Sequence, residues 1–315
     1  MKRREFVKSI GWASLAGPLR RHGFSREKTP SPTPPNIVFI MADDHASQAV
    51  GCYGGRLNWT PHIDRIAREG VRFDRCFCTN GICAPSRATI LTGKYSHLNG
   101  VRDNTHAFDG SQETFPKLLQ AAGYETALIG KWHLQSDPTG FDHWNILPDQ
   151  GEYYNPDLIE MGTKTRRPGY VTDILTDLAV DFIEARKNSS RPFLLMLHHK
   201  APHRNWQPAV RHMTLYDNAE FPEPSTLFDD YATRSRAAAE QEMTIRDHMT
   251  LESDLKLGPP PERLNEDQKK AWEAAFGPKR DAFREAALSG DALVRWKYRR
   301  YLQDYLGCVA AVDES

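Results

Sequence analysis

Two adjacent carboxylates, Asp43 and Asp44, close an apolar run that begins at Ile37. Like charges side by side at a strand end repel unless a cation neutralises them, and the carboxyl ends of strands in open α/β sheets are where ligands collect. A divalent metal is the economical explanation, although an isolated Asp pair also serves as an ordinary solvated turn. A second chemical stretch is CAPSRATILTG, residues 83–93, where Cys83 has a proline, a hydroxyl and a guanidinium within four residues. A structural cysteine asks only for an apolar neighbourhood, so that company needs a reason. Lys131 and His133 follow a third apolar run, and His198, His199, Lys200 and His203 follow a fourth.

Pro85 is tolerated in the first turn of a helix, so the spacing predicts a helix from Ala84 or Pro85 to Gly93. Cys83 then sits at its N-terminus and Arg87 one turn further on the same side. The exposed amides and the helix dipole favour an anion there by at most about 2 kcal/mol. Ester hydrolysis requires a barrier reduction of roughly 8 to 23 kcal/mol. More positive charge must therefore converge on Cys83.

The elements that would bring these groups together follow from hydrophobic period and punctuation. Residues 36–42 read as a strand covered on both faces. Thr60-Pro61, an Ile63/Ile66/Ala67 stripe and Gly70 read as a helix, and 71–78 as a second strand. An amphipathic helix over 113–122, a strand over 124–130, a helix over 171–187 and a strand over 193–197 complete the pattern. This βαβ-like order implies an α/β fold with a mostly parallel central sheet and helices on both faces. Residues 225–300 are charged and helix-prone, broken by GPPP at 258–261.

CAPSRATILTG and GYETALIGKWH, residues 123–133, resemble the two signature segments of the formylglycine-dependent sulfatases, a family with the alkaline-phosphatase-like fold. The resemblance covers residues 36–315, and GEYYNP, HKAPHRNW and PEPSTLFDDY are similar to the branch acting on sulfated amino sugars, notably N-acetylglucosamine 6-sulfate. It implies that a formylglycine-generating enzyme, reading Pro85 and Arg87, oxidises Cys83 to an aldehyde. The hydrated aldehyde would attack sulfur with one oxygen and expel sulfate with the help of the other. By position, it further implies Asp43, Asp44 and the modified Cys83 as ligands of Ca2+, with Mg2+ the other candidate. Arg87 would hold the diol and the carboxylates, Lys131 and His203 the sulfate oxygens, and His133 would exchange a proton. His45, His97, His198 and His199 receive no role.

The family supplies further metal ligands from a later strand ending in Asp with Asn, Gln or His and then Gly. Asp217-Asn218 and Asp247-His248 are the nearest dipeptides, and neither fits. The chain is therefore expected to be the N-terminal part of a sulfatase catalytic domain, incomplete at the C-terminus, and inactive or nearly so by itself. A phosphate or phosphonate monoester hydrolase of the same superfamily and a non-catalytic, glycan-binding remnant are the other readings.

The 315 residues carry 41 basic and 41 acidic side chains with 39% hydrophobic residues. That composition suits a globular chain and lacks the clustered positive charge of nucleic-acid binding. MKRREFVK, a short apolar stretch to Leu19 and Arg20-Arg21 resemble a twin-arginine export signal, too short to span a bilayer, with SPTPP as a stiff linker. Residues 1–35 are thus read as signal and linker, and the protein as periplasmic or extracellular. Export would permit disulfides among the other cysteines, Cys52, Cys76, Cys78 and Cys308, in three pairings that the sequence does not rank, but free buried thiols are expected; a zinc site of Cys76, Cys78 and Cys83 lacks the usual ligand spacing.

Overall fold

The computed structural model describes residues 34–55 and 57–315; of the export signal and linker expected over 1–35, all but Pro34 and Pro35 therefore lie outside the described residues. Among the described residues, the strands β1 (Ile37–Met41), β2 (Glu125–Lys131), β3 (His143–Leu147), β4 (Asp157–Glu160), β5 (Thr163–Arg166) and β6 (Phe193–His198) form one sheet in the order β1-β6-β2-β3-β4-β5. The first four in that order run parallel, and β4 and β5 add an antiparallel margin. The helices are α1 (Pro61–Glu69), α2 (Cys83–Thr92), α3 (Ser96–Asn99), α4 (Phe115–Ala121), α5 (Val171–Glu184), α6 (Arg236–Ala239), α7 (Glu266–Ala286) and α8 (Gly290–Glu314).

Alternation along the two central strands decides which helices lie where. Ala127, Ile129, Leu195 and Leu197 point to one face and pack with Leu175 and Phe182 of α5, Trp272 and Phe276 of α7 and Cys308 of α8. Leu128, Leu194 and Met196 point to the other and pack with Ala84, Ala88 and Leu91 of α2. Full burial of each large apolar side chain stabilises by about 1.5 to 3 kcal/mol. Both faces are covered, so β2 and β6 read as unbroken apolar runs, and the expected mostly parallel sheet with helices on both faces is the one observed. β1 differs: it pairs only with β6 among the described residues, and Val38 and Ile40 are about half exposed.

Some elements depart from the sequence pattern. Residues 71–78 form no strand; Val71, Phe73 and Phe77 are largely exposed, because their alternation meets no neighbouring strand. Within 225–265 only the single turn of α6 is helical, since this stretch buries few apolar groups and is broken by prolines; regular helix begins at α7, where Asn265 and Gln268 form a reciprocal capping box. The N-terminus of α1 is capped from afar, with the Asp313 carboxylate of α8 accepting from the amides of His62 at 3.1 Å and Ile63 at 2.9 Å. No described helix is long and apolar enough to cross a membrane.

Gly130 sits at φ 109° directly opposite His198, and a Cβ there would overlap the His198 carbonyl oxygen. The close β2–β6 approach that delivers Lys131 thus requires glycine. Gly130→Ala is expected to cost roughly 3 kcal/mol in chemical denaturation, with wild-type-like stability counting against the argument. Burial holds the His198 imidazole down to about 3 and the His199 imidazole down to about 4. Above pH ~6.5 both are neutral, folded or unfolded. As pH falls below that value the unfolded chain takes up protons first, so stability declines progressively toward pH ~4. Denaturation midpoints measured from pH 8 to 4 should fall, and His199→Gln should flatten part of the slope.

Candidate active site

Four strand and helix ends meet beyond the carboxyl edge of the sheet. Asp43, just past β1, is held by its amide donating to the Ala201 carbonyl at 3.1 Å. Asp44 follows in the left-handed region, φ 59°. Tyr305 of α8 fixes this turn, its hydroxyl donating to the Asp44 carbonyl at 3.1 Å and accepting from the Ala46 amide at 2.7 Å. Cys83 is the first residue of α2, where the Ala84 amide donates to Asn104 Oδ1 at 3.0 Å. Lys131 ends β2, and His203 lies in the turn after β6.

The centre is the Asp43 carboxylate. Lys131 Nζ pairs with its Oδ2, and Arg87 Nη2 lies 3.6 Å from its Oδ1. Cys83 Sγ is 3.9 Å from Asp43 Oδ1 and 3.7 Å from Lys131 Nζ. Arg87 also donates to the Lys131 carbonyl, and its Nη1 lies 3.3 Å from His198 Nδ1. Donor atoms of Asp43, Cys83 and His203 all lie within 4.8 Å of one another. The Asp44 carboxylate stands on the solvent side of this group, 3.6 Å from His203 Nε2.

Burial would raise the Asp43 carboxyl, but Arg87 and Lys131 together hold it below the usual carboxylate range, so it is ionised at neutral pH. Burial and then the Asp43 charge push the Cys83 thiol up, beyond what Lys131 offsets. That is the reverse of an activated cysteine, whose thiolate needs a net electropositive setting. Burial, Lys131 and Arg87 bring the His133 imidazole down to about 4. Its Nδ1 is buried without a partner, in backbone at φ 53°. His203 is lowered chiefly by burial; its Nδ1 lies 2.6 Å from the Arg204 carbonyl and donates to it, leaving the Nε2 lone pair toward Asp43 and Asp44.

These donors suit a hard cation only conditionally. Asp43 and Asp44 offer the carboxylate oxygens that Ca2+ or Mg2+ prefers, and the Lys131 ammonium already marks where positive charge is wanted. A protonated thiol at position 83 is a poor partner for such an ion, whereas an oxygen there would complete a hard-donor set. The described residues fit the metal with an oxidised residue 83, not with the thiol.

The structure thus gathers Asp43, Cys83, Arg87, Lys131 and His203, with Asp44 at the rim and His133 in the same field but without a hydrogen bond to Cys83 among the described residues. Sequence reasoning passed over three neighbours. Gln150 Oε1 accepts from Lys131 Nζ, Asn104 receives the first amide inside α2, and His198 lies under Arg87. Gln150 and Asn104 sit in loops with no periodic signal; His198 had one, as a histidine at a buried strand end. Cys52, Cys76, Cys78 and Cys308 are free thiols, as expected, but of these four only Cys308 is buried. Cys76 and Cys78 are exposed because 71–78 leaves the sheet, and they do not join Cys83 in a metal-binding group among the described residues.

The family profile described as Sulfatase matches residues 35–315. An N-acetylglucosamine-6-O-sulfatase of Bacteroides thetaiotaomicron is 50% identical over 298 residues, covering 89% of this chain and 53% of the relative. Human N-acetylglucosamine-6-sulfatase is 31% identical over 214 residues, covering 60% of this chain and 38% of the relative. A structure solved in complex with its substrate D-glucosamine-2-N,6-O-disulfate superposes with a TM-score of 0.86 at 50% identity, covering 89% of this chain and 60% of that one. The chain spans about half the length, or less, of these curated relatives. A match running from the start of the sheet through α8, over a cysteine set among an acid, a lysine and an arginine, makes this chain a member of the sulfatase family.

Proposed function

We propose that this site hydrolyses sulfate esters of 6-sulfated amino sugars, with N-acetylglucosamine 6-sulfate the first candidate. The observation that carries the reading is Cys83: a half-buried thiol whose protonated form is favoured, yet placed 3.7 Å from an ammonium and 3.9 Å from an ionised carboxylate. Such a setting wastes a thiol and serves an oxygen nucleophile, as formylglycine would provide. The named relatives are sulfatases, one of them half identical to this chain, which favours sulfate over phosphate.

Asp43, Asp44 and the oxidised residue 83 would hold Ca2+ or Mg2+, which supplies positive charge to activate a hydroxyl and polarise the ester. Lys131, buried and aimed at residue 83, would meet the sulfate oxygens as negative charge develops on them. His203 would meet them from its place beside Asp43 and residue 83. Arg87 holds Asp43 in place and adds a second fixed charge. His133 is neutral down to pH ~4 and can accept a proton from a group at residue 83 throughout the neutral range. Oxidation of Cys83 by a formylglycine-generating enzyme is supported by Pro85 and Arg87, and export by the MKRREFVK segment; both belong to this reading.

Calcium takes six to eight oxygens, more than Asp43, Asp44 and residue 83 provide, so the chain alone should hold it weakly. Titration calorimetry is expected to give a dissociation constant at or above about 10⁻⁴ M, lost in Asp43→Asn; nanomolar binding would contradict the count. Coexpression with a formylglycine-generating enzyme should place an aldehyde at residue 83, read by peptide mass. Any turnover of N-acetylglucosamine 6-sulfate should vanish in Cys83→Ala and fall by about 10²-fold or more in Lys131→Ala. An unmodified thiol in that host, or turnover indifferent to both substitutions, would remove the support for the proposal.

A further inference from the structure

The main chain just after His203 is gripped from outside the site. His203 Nδ1 lies 2.6 Å from the Arg204 carbonyl, an atom that can only accept, so this nitrogen carries the proton and Nε2 is left facing the acidic side chains. The orientation of the ring therefore follows the Arg204 carbonyl. Segment 250–256 holds the residues on both sides of that carbonyl. Arg204 donates to Asp254 through two bonds, Nε to Oδ1 at 2.8 Å and Nη2 to Oδ2 at 2.5 Å, and Lys256 Nζ donates to the Asn205 carbonyl at 2.7 Å. Asp254 is fixed in turn by the Thr250 amide at 2.8 Å and the Thr250 hydroxyl at 2.9 Å.

Stability alone does not account for Lys256. The residue is 2% exposed, and it shares the equally buried Asp304 carboxylate with Arg300 of α8. Ion groups buried this deeply are often no more stable than apolar residues of the same shape. The ammonium directs its three protons to the Asn205 carbonyl, to the Asp254 carbonyl at 2.6 Å and to Asp304 Oδ2 at 3.1 Å, which ties the His203 turn to α8. Both ends of this grip hold left-handed backbone, Lys256 at φ 60° and Trp206 at φ 48°, a conformation that bulky residues keep only where their surroundings enforce it.

Resting on the reading of His203 as a partner of sulfate, we infer that Lys256 and Asp254 are positioning residues for that histidine. They clamp Arg204 and Asn205 so that the Arg204 carbonyl keeps His203 in its Nδ1–H form, with Nε2 alone left to meet an anion beside residue 83. Neither touches the reacting atoms; both act through one carbonyl. A neutral imidazole without such a partner interconverts between its two tautomers, so a released ring would present a protonated Nε2 for part of the time. The His203 carbonyl is held separately, by the Tyr153 hydroxyl at 2.6 Å, so losing the grip frees the ring rather than the whole turn.

The tautomer can be read without turnover or substrate, from the ring-nitrogen chemical shifts of protein carrying isotope-labelled histidine at pH ~8, above the ordinary imidazole range, with His203→Gln identifying the signal. The wild type should show His203 as one tautomer, protonated at Nδ1. Lys256→Met leaves Asp304 paired with Arg300, and Arg204→Gln changes a side chain that reaches the surface; each should move the signal toward a mixture. Arg204→Lys, which can still meet Asp254, should return the wild-type signal. Inorganic sulfate is the second probe: its affinity should fall about tenfold in either releasing variant, the loss of one well-aimed hydrogen bond, and no further when that change is added to His203→Gln. If the folded Lys256→Met and Arg204→Gln chains keep the single tautomer, or the wild type already shows the mixture, the positioning assignment fails and the sulfate-ester reading stands. If the tautomer moves as expected while sulfate binding ignores His203→Gln, the grip on the ring stands and the part of His203 in meeting sulfate fails. Should Lys256→Met not fold, Arg204→Gln decides both measurements alone.

Discussion

One buried carboxylate organises this molecule. Asp43 lies almost out of solvent between Lys131 and Arg87, with Cys83 against its other side. Burying a charge is costly unless partners of opposite sign meet it, and removing one partner from such a set is far worse than never having built it. Asp43 arrives from β1, Lys131 from β2 and Arg87 from α2, so the ion cluster is satisfied only when the three ends are in register. The fold and the site are therefore one problem: the β1–β6–β2 pairing that makes the core also brings the charges together.

The cluster explains why position 83 is unusual. Two cations near a thiol would ordinarily favour a thiolate, but here burial, and then the ionised Asp43 carboxylate, push the thiol the other way. Lys131 and Arg87 neutralise Asp43 while both remain within reach of residue 83.

Much of this was legible in the sequence for physical reasons. β2 and β6 are covered strands, so their runs are continuous, and like the half-exposed β1 they lead directly into charged residues; Pro85 fixes where α2 can begin, and hence that Cys83 and Arg87 share a side. The failures are equally physical. β3, β4 and β5 are short and of mixed polarity, and 71–78 alternates like a strand but finds no partner. Gln150 reaches Lys131 from a loop with no period to read, and Asp313 caps α1 from 251 positions beyond His62, a distance across which no local pattern speaks. The Asp44 carboxylate, adjacent in sequence to Asp43, faces outward because the left-handed backbone turns it away. His203 took the inner place instead.

The outer side of β1 has a different implication. Its amides and carbonyls line an edge without a strand beside it among the described residues, and Val38 and Ile40 flank that edge half in water, with no lysine, proline or bulge within Ile37–Met41 to blunt it. Natural sheets ordinarily guard such margins, because a flat apolar one templates pairing with another molecule. Wherever that margin stays uncovered, it would favour intermolecular strand addition at high concentration, and colloidal behaviour rather than melting would then set how the protein can be stored.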